Sequence, residues 1–211
     1  MNVDAVVVCG TSAADPLARV GGVPLLVRAV ESILGAGGFG RVHVLPAHPD
    51  DCARVDAVCA GLPVVVHPRA VQRATGTGSD GMDTLRLDAC AAEVLVVHDV
   101  AWALVACAEV LPRVLAGVAA GHAAVVPVVP LTDTVKVVDA SGLVVGTPDR
   151  AGLRVVQTPQ AYRTAAFDRS GLPSMALAAG AACAHTVAGD PSAFPLRTAD
   201  DVELARAVVR R

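Results

Sequence analysis

The chain has 211 residues, a length that suits one large domain with a core of its own. Hydrophobic residues make up 54% of it and aromatic residues only 2%, so the core is built mainly from Val, Ala and Leu. The net charge of −3 and the scattered basic residues argue against a nucleic-acid surface but leave a small anionic ligand open. No apolar run approaches the ~20 residues of a membrane-spanning helix. The N-terminus carries an acid and lacks the basic region of a secretory signal.

Six cysteines are present, without a Cys-x-x-Cys pair or a neighbouring histidine pattern. This spacing disfavours disulfide and zinc interpretations and favours buried, reduced thiols in a cytoplasmic protein. Because the basic residues are scattered and no apolar run is long enough to span a membrane, we expect neither a membrane nor a nucleic acid among its partners.

Short valine-rich runs alternate along the chain with amphipathic stretches rich in Ala and Leu. Buried strands are predicted over residues 3–9, 41–46, 63–67, 94–98 and 122–128. Helices are predicted over residues 24–36, 49–60, 82–92, 106–120 and 199–210. The alternation indicates an α/β domain whose parallel sheet is covered on both faces. Because ligands bind beyond the carboxyl ends of such strands, Cys9–Gly10 and His98–Asp99 mark the candidate site.

The stretch over residues 131–160 departs from this alternation. It contains the β-like runs TVKVVD, LVVGTP and LRVVQT, and the sequence DASG favours a hairpin turn between the first two. Such a stretch predicts an arm or an edge hairpin that pairs with another subunit. With no internal repeat or linker, residues 1–211 are expected to form a single domain that carries this arm.

The segment PVVPLTDTVKVVDASGLVVGTPDRAGLRVVQTPQAY resembles the arm of the 2-C-methyl-D-erythritol 4-phosphate cytidylyltransferase family. In that family a D-T-x-K segment precedes D/E-R-x-G-L and then Q-T-P-Q. LVVHDVAW, GVPLLVRAVESIL and VAGDPSAFPLRTADDVELARAVV are similar to further family segments, so the resemblance covers nearly the whole chain. It implies a three-layer, Rossmann-like α/β nucleotidyltransferase fold with a protruding β-arm that forms a homodimer. It also implies Mg²⁺-dependent transfer of CMP from CTP to a sugar-alcohol phosphate in non-mevalonate isoprenoid biosynthesis.

The resemblance assigns roles to individual residues. Asp99 in VVHDV resembles the metal-holding aspartate, whose hard carboxylate suits Mg²⁺; the alternative is an acid that caps the next helix. Thr134 and Arg150 resemble the arm residues that grip the acceptor's phosphate, against the alternative of a solvated hairpin face. Thr158 in QTPQ either bonds a phosphate oxygen or satisfies the turn before Pro159.

Nucleotide binding is expected at two places. Gly10, Thr11 and Ser12 follow the first strand, where phosphate-binding loops lie. Asp83 and Thr84 in GMDTLRL resemble the family segment that reads the cytosine, although both residue types also suit the start of the helix predicted there.

Several cationic residues of the family pattern are missing. The opening loop, CGTSAADPLARVGG, is shorter than the family's A-A-G-x-G-x-R segment and carries Asp15 or Leu17 near the position of its lysine. Pro195 stands at the family's second active-site lysine, and Trp102 replaces the arginine of H-D-A-A-R, where it would fill space at the mouth of the site. Loss of one preorganised charge contact typically lowers a rate by ~10²–10³-fold. We therefore expect weak or absent activity with CTP.

Two alternatives stay open. The chain could be a non-catalytic pseudoenzyme or partner subunit that binds a sugar phosphate, or a nucleotidyltransferase with a changed substrate. Arg19 and Arg197 are the nearby cations that could replace the lysines. Arg19 has the wrong spacing, and Arg197 is expected on the same strand face as Pro195.

Overall fold

The computed structural model describes residues 1–9, 14–67, 72–73, 83–84, 92–166 and 184–209, with 72–73 and 83–84 described by their backbone. The strands within these ranges are β1 (Val3–Val8), β2 (Arg19–Val20), β3 (Val23–Pro24), β4 (Val42–Leu45), β5 (Val65–Val66), β6 (Gln72–Arg73), β7 (Asp83–Thr84), β8 (Val94–Asp99), β9 (Ala124–Pro130), β10 (Val137–Val138), β11 (Val144–Gly146), β12 (Arg154–Val156), β13 (Gln160–Arg163) and β14 (His185–Ala188). The α-helices are α1 (Leu25–Ala36), α2 (Cys52–Cys59), α3 (Cys107–Ala119) and α4 (Ala199–Val209). Short 3-10 helices cover Pro49–Asp51, Val100–Trp102, Arg150–Gly152 and Thr164–Ala166.

Eight of these strands form the main sheet. β1 lies between β4 and β8 and is parallel to both, and β5 extends the parallel part beyond β4. β13 runs antiparallel between β8 and β9. β9 also pairs with β12 in antiparallel and with β14 in parallel orientation. The five strands predicted for the parallel sheet therefore all run in one direction. The antiparallel strands β12 and β13, which that prediction did not include, arise because the chain that returns from the arm runs back along β9.

Successive strand residues face opposite sides of this sheet, as the pleat requires. Val7 belongs to the larger buried cluster, which also contains buried residues of α1, α2, α3 and α4. Val6 belongs to a smaller cluster on the other face. The α/β architecture and these four helices confirm the sequence prediction, with boundaries that differ by a few residues.

The helix predicted over residues 82–92 is wrong at its start. Asp83 and Thr84 form β7, whose backbone pairs antiparallel with Gln72–Arg73. Pairing with a strand that lies shortly before it in the chain overrides the local helix-start signal of Asp and Thr. Residues 85–91 lie outside the described ranges.

The arm over residues 131–160 contains the predicted hairpin. β10 and β11 pair antiparallel, and Asp139 organises the turn by accepting from the amides of Ser141 and Leu143 at 2.9 and 3.0 Å. A hydrogen bond from the Ser141 hydroxyl, together with these amide bonds, holds the pKa of the Asp139 carboxyl below its usual value. The large apolar side chains of the hairpin are exposed by 49–65%, namely Val137, Val138, Leu143, Val144 and Val145. The third β-like run rejoins the main sheet as β12.

In the part of the chain that the structure describes, no helix is both long and apolar enough to span a bilayer. Cys9, Cys52, Cys59 and Cys107 are free thiols. Three of them are buried and Cys52 is half-buried, while Cys90 and Cys183 lie outside the described residues.

Candidate active site

Three neighbouring parallel strands end together at one edge of the sheet. Val8 at the end of β1 is in register with Asp99 of β8 on one side and with Leu45 of β4 on the other. The chain that follows Val8 leads through buried Cys9 into Gly10, Thr11 and Ser12, which lie outside the described residues. The structure therefore brings the two sequence-predicted strand ends, at Cys9 and Asp99, to one edge.

Asp99 is half-buried at this edge and has a defined hydrogen-bonding role. Its Oδ1 accepts from the Ala101 amide at 2.8 Å and so caps the 3-10 helix Val100–Trp102. The capping alternative is thus realised for this oxygen. Trp102 is 5% exposed and belongs to the larger buried cluster, so it does not line the mouth of the site as expected.

A buried chain of polar groups lies behind Asp99. The Thr158 Oγ1 accepts from the Asp99 amide at 3.1 Å and lies 2.8 Å from His98 Nδ1, while His98 Nε2 lies 3.8 Å from Cys107 Sγ. Complete burial lowers the pKa of His98 to about 3, and burial raises the pKa of Cys107 to about 11, so both groups are neutral. The pattern is satisfied when the Thr158 hydroxyl donates to Nδ1 and Nε2 carries the imidazole proton. His98 is therefore a structural hydrogen-bonding residue.

A rim of backbone hydrogen bonds continues from the Asp99 turn. The Ala101 carbonyl accepts from the Leu196 amide at 2.7 Å, and the Leu196 carbonyl accepts from the Ala14 amide at 3.0 Å. The Leu196 side chain is fully buried, so this residue is firmly held between Ala101 and Ala14. Pro195, which resembles a position held by lysine in the family, therefore stands beside the Asp99 turn without charge or N–H.

The two arginines suggested by the sequence are held in different ways. The Arg19 guanidinium donates to the Gly22 carbonyl at 2.6 Å. Arg197 lies just before α4, where its amide donates to Asp201 Oδ2 at 2.9 Å. The expectation that Arg197 lies on a strand is wrong, because this segment is bound into the N-terminal cap of α4 instead.

The structure brings a third arginine to the same region. Arg54 Nη2 of α2 lies 3.7 Å from Asp15 Oδ2, and Arg54 Nη1 lies 3.1 Å from Asp51 Oδ1. Sequence reasoning missed Arg54 because no motif surrounds it and its partner Asp15 belongs to a different element. Only the chain's return from β4 to this edge of the sheet places the two together.

The Cys9 thiol shows which charges meet at this edge. Burial raises its pKa, and the carboxylate of Asp99, neighbouring Cys59 and the carboxylate of Asp51 raise it further. Cys9 is therefore a protonated core residue. Asp99 and Asp51 act on it from the β8 and β4 sides of the edge.

The arm positions suggested for the acceptor's phosphate lie on its exposed surface. Thr134 and Arg150 are exposed, and an Arg150 guanidinium nitrogen donates to the Thr132 carbonyl. Asp149 Oδ1 caps the 3-10 helix that carries Arg150 by accepting from the Ala151 amide at 2.9 Å. The cap fixes the backbone at Arg150 on the arm. Phosphate binding by Thr134 and Arg150 stays a prediction.

The oxygen ligands at this edge of the sheet fit a Mg²⁺ ion that is bound in one particular way. The described residues contain no group of three or more His, Cys, Asp or Glu side chains placed to hold a metal. Mg²⁺ commonly uses one or two carboxylates together with substrate phosphates and water. A single hard carboxylate, Asp99, therefore suits a Mg²⁺ ion that arrives with a triphosphate, and it does not suit a resident structural metal.

This α/β sheet, with a capped aspartate at the carboxyl edge and a β-arm, defines a Rossmann-like nucleotidyltransferase fold. The IspD model, 2-C-methyl-D-erythritol 4-phosphate cytidylyltransferase, matches residues 10–211, and the chain belongs to this family. A protein of that name from Nocardia farcinica is 40% identical over 91% of this chain and 84% of its own, and one from Rhodococcus opacus is 36% identical over 90% and 84%. The crystal structure of the enzyme from Thermus thermophilus is 26% identical and superposes with a TM-score of 0.68 over all of both chains.

Proposed function

We propose that this protein transfers CMP from CTP to 2-C-methyl-D-erythritol 4-phosphate, at a rate well below that of relatives that keep both lysines. The observation that carries the proposal is the Asp99 carboxylate, held at the carboxyl edge by the Ala101 amide. Backbone hydrogen bonds connect the turn that contains Asp99 to Leu196 and then to Ala14, which follows the opening loop's undescribed residues. The free thiols of the described chain support a reducing compartment, and we place the activity in the cytoplasm.

Asp99 has the central role in this proposal, since it would hold the Mg²⁺ that accompanies the triphosphate. When bound, the ion neutralises negative charge on the phosphates. An oxygen of the acceptor's phosphate forms a bond to the α-phosphorus of CTP, the bond from that phosphorus to the bridging oxygen breaks, and pyrophosphate leaves. No covalent enzyme intermediate is needed, so the protein contributes position and electrostatics.

The remaining site residues divide between the two substrates. Gly10, Thr11 and Ser12 cradle the phosphates, and Asp83 with Thr84 reads the base. Their family resemblance supports these roles.

Thr134 and Arg150, supplied by a partner's arm, grip the acceptor's phosphate. Arginine suits this role because its planar guanidinium binds phosphate through two parallel hydrogen bonds. The Thr158 hydroxyl contacts the site by accepting a hydrogen bond from the Asp99 amide. A direct bond from this hydroxyl to phosphate stays a prediction.

Two substitutions support the low rate. Asp15 adds negative charge beside the opening loop, where a triphosphate would be repelled. Pro195 places an uncharged ring beside the Asp99 turn. Each lost cationic contact to a transition state typically costs ~10²–10³-fold in rate, and the two losses need not multiply.

A pyrophosphate-release assay with CTP, the sugar phosphate and MgCl₂ tests the proposal. We expect turnover at least ~10²-fold slower than that of the Nocardia farcinica relative assayed alongside. Asp99→Asn should abolish the remaining turnover and Pro195→Lys should raise it. Asp200→Asn, at an exposed acid of α4, is the control that should change neither.

The possible outcomes separate the alternatives. Turnover equal to that of the relative would contradict the reduced rate. Binding of the sugar phosphate without CTP binding or turnover would favour a non-catalytic subunit. Turnover with a different nucleoside triphosphate would identify a transferase of changed substrate.

The arm is the proposed dimer contact. Its exposed apolar side chains lie on both strands of the hairpin, and an apolar surface of this kind is typical of an interface. A homodimer formed through it would carry Arg150 of each arm to the other subunit's site.

A further inference from the structure

We infer that Arg54 on α2 binds the polyphosphate of the nucleotide, in place of the lysine that the opening loop lacks. This inference rests on the proposed nucleotide site and adds a residue to it. The ligand class is a nucleoside triphosphate, recognised through its phosphates and not through its base.

The placement of Arg54 follows from a continuous set of contacts. From Asp99 the hydrogen bonds run through Ala101 and Leu196 to Ala14, and Asp15 is the next residue. Asp15 Oδ2 then lies 3.7 Å from Arg54 Nη2. Arg54 thus closes the rim on the side opposite Asp99, with the end of β1 between them.

The strand order gives the same placement independently. β8, β1 and β4 end level with one another, and α2 begins shortly after β4. The aspartate that electrostatically raises the Cys9 pKa from the β4 side is Asp51, and Asp51 Oδ1 is itself 3.1 Å from Arg54 Nη1. The guanidinium therefore lies at the edge that also carries Asp99.

A stronger anion can displace Asp15 from its ion pair with Arg54. The side chains of Arg54 and Asp15 are both 56% exposed, and a solvated ion pair at 3.7 Å contributes little to stability. A phosphate chain carries more negative charge than one carboxylate and accepts two parallel hydrogen bonds from a guanidinium. Phosphate binding would release Asp15 and leave the contact to Asp51 in place.

Among the residues that the structure describes, the other arginines near this edge are less suitable. Arg19 donates to Gly22, and Arg28 donates to the Val20 carbonyl at 2.9 Å. Arg197 is held in the cap of α4 by its backbone, since its amide donates to Asp201 Oδ2 at 2.9 Å and is the main cause that lowers the pKa of that carboxyl. Arg54 differs from these three, because both of its partners are exposed or half-exposed carboxylates.

Calorimetric titration of the full chain with Mg²⁺·CTP and with Mg²⁺·tripolyphosphate tests the inference. Arg54→Gln should weaken binding of both ligands by ~10-fold or more, which is the usual weight of a charged hydrogen bond. Arg54→Lys should retain part of the affinity. Asp15→Asn should strengthen binding, and by less when combined with Arg54→Gln, because the change then removes only the repulsion by Asp15 and frees no guanidinium.

Arg41→Gln is the matched control. Arg41 is an exposed arginine just before β4, at the amino edge of the sheet, and its loss should leave both affinities unchanged. CMP, which lacks the outer phosphates, should bind the parent chain and Arg54→Gln equally. Thermal unfolding should be the same for both arginine variants, since each side chain is exposed.

Each outcome decides the inference. Unchanged affinity of Arg54→Gln for both ligands would overturn it. Arg54-dependent binding of tripolyphosphate without CTP binding would support it and refute the proposed CTP activity. If the parent chain bound neither ligand at millimolar concentration, both proposals would be wrong.

Discussion

The Thr158 hydroxyl lies 2.8 Å from Nδ1 of His98, although the two residues are 60 positions apart in the sequence. The same oxygen accepts from the Asp99 amide at 3.1 Å. Thr158 joins the chain that returns from the arm to the strand end that carries the aspartate. The QTPQ segment thus supports the strand end that carries Asp99, through the buried side chains of Thr158 and His98.

Thr158→Val should destabilise the protein by about 2 kcal/mol, because it removes the acceptor of a buried amide and the partner of a buried imidazole. Thr158→Ser, which keeps the hydroxyl, should lose much less. Urea unfolding followed by circular dichroism measures both. Thr132→Val, at an exposed position of the arm, serves as the control, and an equal loss in it would contradict the assignment.

Burial of His98 predicts that stability falls with acid. Its folded pKa of about 3 lies below the unfolded value of 6.5, so the unfolded chain binds a proton that the folded chain does not. This contribution is fully present above pH 6.5 and is lost as the pH falls toward 3. From this residue alone, the free energy of unfolding should be about 2 kcal/mol lower near pH 5 than near pH 7.5.

Urea unfolding at the two pH values checks this prediction. The loss between them should shrink by roughly that amount in His98→Asn, because an uncharged amide takes the place of the imidazole. His43 and His67, whose pKa values burial also lowers, add to the acid sensitivity of the parent and of the variant alike. The control is His122→Gln at an exposed position. An unaltered pH dependence in His98→Asn would refute the role of His98.

Gly189→Ala should lower the free energy of unfolding by about 2 kcal/mol through overpacking. An added Cβ would overlap the Gln157 Oε1 and lie 3.2 Å from the Val128 carbonyl oxygen. Gln157 is fully buried, and its amide group both donates to and accepts from the Asp190 backbone. It therefore cannot move aside without losing hydrogen bonds. Gly152→Ala, where nothing lies within 4 Å of the new Cβ, should be close to neutral in the same unfolding measurement.

Much of the fold follows from local pattern. The valine runs that became β1, β4 and β8 lack polar faces, and the amphipathic periods that became α1 and α3 are long and regular. The site edge follows as well, since strand ends at Cys9 and Asp99 converge in any parallel α/β sheet. The hairpin of the arm is signalled by its Asp139 turn.

The misses arise from contacts that the local pattern of a segment does not encode. Asp83 and Thr84 carry a helix-start signal, yet they pair with Gln72–Arg73 as a strand. β13 inserts between β8 and β9, which no short-range pattern encodes. The approach of Arg54 to Asp15 depends on how β4 delivers α2 to the edge. Such features need the assembled topology and could not be read from propensity or spacing.

Two helical glycines should respond in opposite directions to alanine. A Cβ on Gly117 of α3 would lie 2.9 Å from Val125 Cγ2, so Gly117→Ala should destabilise the protein by about 1–3 kcal/mol. A Cβ on Gly35 of α1 would meet nothing within 4 Å, so Gly35→Ala should stabilise it by roughly 0.5–1 kcal/mol through helix propensity. Thermal and urea unfolding of the pair check the signs, and the same sign for both would contradict this packing.

The exposed hairpin of the arm should control the oligomeric state. Val145 of β11 is 58% exposed, and Val145→Glu would place a charge within the apolar surface of the arm. Since a buried unpaired charge is costly, the variant should lose the dimer. Light scattering on a sizing column should give twice the 21.3 kDa chain mass for the parent and the single chain mass for the variant.

Leu204→Glu is the matched control for the arm, because Leu204 of α4 is exposed to a similar degree, 54%, and lies outside the hairpin. It should stay dimeric. Dissociation by Leu204→Glu and not by Val145→Glu would move the interface to α4, and a monomeric parent would refute the proposed homodimer. Because Arg150 belongs to the same arm, a monomeric Val145→Glu should also lose the turnover that depends on a partner's arginine, while its thermal unfolding midpoint changes little.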